Sequence, residues 1–146
     1  MRLMSFWFGV IFSVLSFSSV ADQFAIITYT SAFPSLTSSQ VKMLYRGRLN
    51  HIEGQNVLLV DLPMNSNVRK HFYLMLLGKT PTQMQAIRAR QSFSGKQVPP
   101  YELSQENIES VEYWLTEHPN GIAYVPLQWV SDKVHILYQF GDEEAL

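Results

Sequence analysis

Cysteine is absent from the 146 residues, which excludes a disulfide framework, a zinc ribbon and any thiolate cluster. Glycine and proline number only 7 each, too few for a collagen-like or low-complexity chain. Charged residues are sparse at 16%, against 47% hydrophobic ones, so the chain is not a disordered tail. Catalytic signatures are missing as well: there is no Gly-x-Ser-x-Gly, no phosphate-binding P-loop and no dinucleotide fingerprint. The histidines, His51, His71, His118 and His135, form no i,i+4 pair and no His-Glu-x-x-His. Ser66 and His71 do not face each other on one helix, so they make no nucleophile–base couple. No enzymatic activity, cofactor or metal is expected. The length suits one domain, and such a chain buries roughly two-thirds of its unfolded surface without a staple.

The first twenty-one residues read as a targeting segment. Met1-Arg2 is a short positive start, Leu3 to Val20 carries no charge, and Ser19-Val20-Ala21 is a small-x-small cleavage site before Asp22. That is the pattern of a secretory signal peptide. Ser5, Ser13, Ser16, Ser18 and Ser19 dilute the run, whereas a membrane anchor needs about 20 strongly apolar residues. The expectation is a signal peptide over 1–21, cleaved after Ala21, and an exported domain over 22–146.

Charge is split along the chain. Residues 42 to 96 hold nine Lys/Arg against Glu53 and Asp61, while residues 97 to 146 hold Lys133 against nine acids. A basic half can focus a positive field where an anion arrives, or it can simply coat solvated helix faces. Nucleic acid is not an expected partner, because the chain as a whole is not basic.

Hydrophobic runs and punctuation alternate between strand and helix. Phe24 to Tyr29 reads as a buried strand. Thr37, Ser38 and Ser39 are candidate caps for a helix carrying Val41, Leu44 and Tyr45, which Gly47 stops. Glu53-Gly54 is a turn, and Asn56 to Leu62 a second strand. Val68, Phe72, Met75 and Leu76 form a helical stripe closed by Gly78. A third helix starts near Thr80-Pro81-Thr82 and ends at Gly95. Pro99-Pro100 is a rigid spacer, and Ser104 is the expected cap of a fourth helix with Ile108, Val111, Trp114 and Leu115 inward. Ile122–Val125 and Val134–Tyr138 complete the strands. The sum is an α/β domain in which about four helices flank a small mixed sheet.

One segment has more chemical content than the rest. Asp61-Leu-Pro-Met-Asn-Ser-Asn-Val-Arg69 runs from a strand through a proline turn into a helix start. Asn65, Ser66 and Asn67 suit capping, and a helix N-terminus with free N–H groups favours negative charge. Arg69 sits in the first turn, where acids are usual. It answers an external anion or a carboxylate, or it stands in solvent beside an ordinary cap; both readings fit the residues.

Five segments, in order, resemble the periplasmic phosphate-binding proteins. They are Leu36-Thr-Ser-Ser-Gln-Val-Lys-Met-Leu-Tyr-Arg-Gly47, the Glu53-Gly54 turn with Val57 to Leu62, and Asn65-Ser-Asn-Val-Arg-Lys-His-Phe72. Phe93-Ser-Gly-Lys-Gln-Val-Pro-Pro100 is similar to a stretch of short single-lobe relatives, and His118-Pro-Asn-Gly-Ile-Ala-Tyr-Val125 to an element shared across the family. The resemblance implies a single lobe of a type 2 periplasmic binding protein, related to the substrate-binding proteins of phosphate ABC transporters, in the periplasm. It implies phosphate or another small oxyanion at Asn65, Ser66, Asn67 and Arg69. The sequence departs from the family where Leu62-Pro-Met-Asn-Ser-Asn-Val68 replaces an Arg-Ser-Asp-Gly-Ser-Gly-Thr run, at Ala123 in place of glycine, and at Arg88 in place of an aromatic residue. One lobe cannot enclose a ligand by itself. The alternative expectation is therefore an accessory module that docks a membrane sensor or transporter, or a second copy of itself, with no ligand bound.

Overall fold

The computed structural model describes residues 22–95 and 98–141; the expected signal peptide lies outside them. Its elements are β1 Gln23–Thr28, α1 Ser38–Tyr45, β2 His51–Ile52, β3 Gln55–Asn56, β4 Leu58–Asp61, α2 Asn67–Leu77, α3 Pro81–Phe93, β5 Tyr101–Glu102, α4 Ile108–Glu117, β6 Gly121–Pro126 and β7 His135–Gly141. A 3-10 turn, Leu127–Trp129, follows β6. The main sheet has the order β5-β4-β6-β1-β7. β4 runs parallel to β5 and β6, whereas β1 runs antiparallel to β6 and β7. This is the expected mixed sheet with four helices.

β1 and β6 are apolar and buried along nearly their whole length, the signature of central strands covered on both faces. The two faces differ in what covers them. Phe72 of α2 stacks on Tyr124 of β6 with centroids 3.7 Å apart, and Tyr45 of α1 meets both rings edge-on. On the opposite face, α4 packs so closely that a Cβ on Gly121 would come within 2.6 Å of the Trp114 ring and 2.9 Å of the His118 carbonyl. α1 and α2 thus lie over the Tyr124 face, and α4 lies over the Gly121 face, as alternation along β6 requires.

Local chemistry starts and stops the helices. Thr37 and Gln40 form a reciprocal capping box at α1, and Thr80 and Gln83 form another at α3, where Pro81 occupies the first turn. Gly78 closes α2 at φ +65°, a left-handed position that glycine adopts without a Cβ penalty.

Four expectations shift. The second strand divides: Gln55–Asn56 folds back on His51–Ile52 as a hairpin over Glu53 and Gly54, and only Leu58–Asp61 enters the main sheet. Both turn residues have positive φ, the geometry of a tight hairpin. Pro99-Pro100 leads into a two-residue strand, β5, parallel to β4, where a mere spacer was expected. Asn107, not Ser104, caps α4, its Oδ1 accepting from Ser110 N at 2.8 Å. The earlier residues are held back because Leu103 N donates to Asp61 O at 2.9 Å. Finally, the buried stripe of α2 is Arg69, Phe72, Tyr73 and Leu76, while Val68 and Met75 are only partly covered. Two polar-tipped residues displace two apolar ones because a buried carboxylate waits for them.

Candidate functional site

That carboxylate is Asp61, the last residue of β4, and it is 2% exposed. A charge in such a place survives only when paired and hydrogen-bonded. Tyr73 Oη donates to Asp61 Oδ2 at 2.7 Å, and Tyr124 Oη donates to Oδ1. Arg69 Nε lies 3.4 Å from Oδ1, an ion pair without hydrogen-bond alignment. Arg88 Nη1 donates to Oδ2 at 3.5 Å. Two helices and two strands thus meet at one side chain.

The guanidiniums have further partners. Arg69 Nη1 donates to Leu62 O at 2.8 Å and to Glu102 Oε2 at 3.1 Å. Arg88 Nη2 donates to Tyr73 Oη at 2.7 Å and to Tyr45 O at 3.3 Å, with its carbon 5.3 Å from the Tyr73 ring centre. Burial raises the pKa of Tyr45, Tyr73 and Tyr124, and the nearby Asp61 charge raises each further. The hydroxyls therefore stay protonated, and those of Tyr73 and Tyr124 act as donors to Asp61. Burial pulls the Arg88 pKa down, but Tyr73 and Asp61 outweigh it and leave it above its ordinary value.

Above this network opens a cleft of about 240 Å³, lined among others by Asp61, Met64, Arg69, Gln85, Arg88 and Glu102. It sits beyond the C-terminal end of β4, beside parallel strands, where open α/β sheets commonly bind their ligands. No group of three or more potential metal ligands forms among the described residues.

The expected site residues are only partly brought together. Ser66 is the cap of α2, buried, with its Oγ accepting from Arg69 N at 3.0 Å. Asn65 and Asn67 are exposed on either side of it and do not line the cleft. Arg69 reaches the cleft, but it answers carboxylates of its own chain and does not stand in solvent. Asp61, Arg88 and Glu102 were not among the expected site residues. Asp61 carried a signal, as an acid near the end of an apolar run; Arg88 shares a face with buried Met84 one turn earlier. Glu102 carried none, since a two-residue strand has no periodicity to detect.

No family model matches the sequence, and no curated protein matches it. Solved structures do. One is a chain from Clostridium perfringens described as a phosphate ABC transporter substrate-binding protein with bound phosphate, at TM-score 0.61 and 18% identity over 80% of this chain and 44% of that one. Another is an ABC-type phosphate transport receptor from Vibrio cholerae, at TM-score 0.60 and 15% identity over 80% of this chain and 46% of that one. The chain spans less than half the length of either. At these identities the likeness is one of fold, and the resemblance carried by the five sequence segments holds at that level. The chain has the fold of a single lobe of a periplasmic binding protein, similar in structure to the phosphate-binding proteins of ABC transporters.

Proposed function

We propose that this chain is an exported, non-catalytic solute-binding module that takes a small tetrahedral oxyanion of the phosphate class. The anion is held in the cleft by Arg69, in the first turn of α2, with Arg88 facing it from α3. The carrying observation is the convergence of two guanidiniums, Arg69 and Arg88, from different helices on one cleft beside the start of α2. The nearby start of α2 adds the favourable end of the helix dipole. The fold likeness to a chain described with bound phosphate supports the same ligand class.

Isothermal titration with phosphate and sulfate tests this reading. Both guanidiniums are wired into Asp61, so each variant's unfolding midpoint is read beside its binding; Arg88, 13% exposed against 4% for Arg69, is the probe. Arg88→Gln should weaken binding by about 1.5–3 kcal/mol, the range for hydrogen bonds involving charged groups, or at least about tenfold. No heat with either anion on the wild type would contradict the reading. Export is part of the same proposal. N-terminal sequencing of protein from an osmotic-shock fraction should find a start at Asp22, and an intact Met1 in the membrane pellet would sink it.

A second reading, docking to a membrane sensor or transporter or to a second copy, draws on one observation. Phe93 is 95% exposed, Val98 82% and Tyr101 60%, clustered in sequence about Ser92 and Pro99, which line the cleft. Apolar side chains left open together mark contact surfaces. Anion titrations that stay silent, together with a dimer or a retained envelope partner, would favour it.

A further inference from the structure

Resting on the oxyanion reading above, we infer that Glu102 is a built-in competitor for the anion, a carboxylate of the chain's own that occupies Arg69 until a ligand displaces it. Arg69 has three partners. Asp61 is buried and fixed by two tyrosine hydroxyls, and the Leu62 carbonyl belongs to a buried residue. Glu102 alone is reached from solvent: its side chain is 50% exposed, whereas that of Arg69 is 4% exposed. An anion entering the cleft therefore meets Arg69 through the position that Glu102 Oε2 holds at 3.1 Å.

The charges of the cleft support the same conclusion. Arg69 and Arg88 are balanced by Asp61 and Glu102, so the resting cleft offers an arriving anion no net attraction. Asp61 cannot leave, because turning it out would strip two tyrosines and two guanidiniums of their partner. Glu102 can leave. It sits on a two-residue strand at the edge of the sheet, and a half-exposed ion pair is weak and easily exchanged for water. Swinging Glu102 outward frees one guanidinium edge of Arg69 and leaves the cleft with a net positive charge. Glu102 thus sets the threshold for binding and separates multiply charged oxyanions from weak monoanions, which gain little by replacing one carboxylate with another.

Titration of inorganic phosphate and sulfate into the wild type, Glu102→Gln, Glu102→Ala and Glu106→Ala tests the inference. Glu106 is an exposed acid of the same segment that has no contact with Arg69 among the described hydrogen bonds and ion pairs. Glu102→Ala should bind both anions about fivefold more tightly, the worth of a half-exposed ion pair no longer competed for. Glu102→Gln should lie between it and the wild type, and Glu106→Ala should shift affinity less than about threefold by the general field alone. A wild type that binds while Glu102→Ala binds no more tightly, or more weakly, overturns it and leaves the oxyanion reading standing. Silence from all four proteins overturns both.

Discussion

Asp61 is the residue on which the interior depends. Its two oxygens collect two tyrosine hydroxyls and two guanidiniums, and each of those groups is buried or nearly so. Removing the carboxylate leaves Arg88 without its ion-pair partner and Arg69 with only the half-exposed Glu102, and breaking a buried pair in this way costs about 3–5 kcal/mol. Asp61→Ala should therefore lower the urea midpoint sharply, while Asp61→Asn, which keeps an acceptor for the tyrosines, should cost less. An unchanged midpoint in Asp61→Ala would show that the network contributes nothing to folding. At this scale the sequence was half legible. An acid among Val57 to Leu62 announces a buried charge in need of partners, but Arg88 lies 27 residues away and Tyr124 lies 63 away. Pairings over such separations are fixed by the fold, and no local pattern carries them.

Elements were more legible than their pairings. Helix starts follow from side chains that cap free amides, and Thr37, Ser66 and Thr80 do what their residue types promise. Where a cap failed, at Ser104, the reason lies outside the helix, in the bond that ties Leu103 to the end of β4. The α2 stripe turned by one position because burial of Arg69 and Tyr73 is stabilised by Asp61, which an apolar count cannot see. The approach of α4 to β6 gives an element-scale prediction. Gly121 has no room for a methyl group against Trp114 and the His118 carbonyl, so Gly121→Ala must part helix from strand. Overpacking of this kind costs about 1–3 kcal/mol, measurable as a fall in the unfolding midpoint. A midpoint equal to the wild type would contradict the packing described for α4.

For the whole molecule, the order of strands explains why the cleft lies where it does. β4, β5 and β6 run parallel, so their C-terminal ends share one edge, and α2 leaves β4 at that edge with its positive end nearby. The chain spans less than half of the structures it resembles. The half-exposed Glu102 lines the cleft. Fold class was readable from ordered segments and caps, because those are local. The identity of the charges in the cleft was not, because Glu102 reaches Arg69 across 33 residues. The central claim, that an oxyanion binds between the start of α2 and α3, is tested most directly by mapping amide shifts in a two-dimensional nitrogen–proton spectrum during phosphate titration. The account predicts saturable shifts concentrated at Met64 to Arg69, Arg88 and Glu102, with β7 unmoved. Shifts absent throughout, or confined to Phe93 and Tyr101, would contradict it.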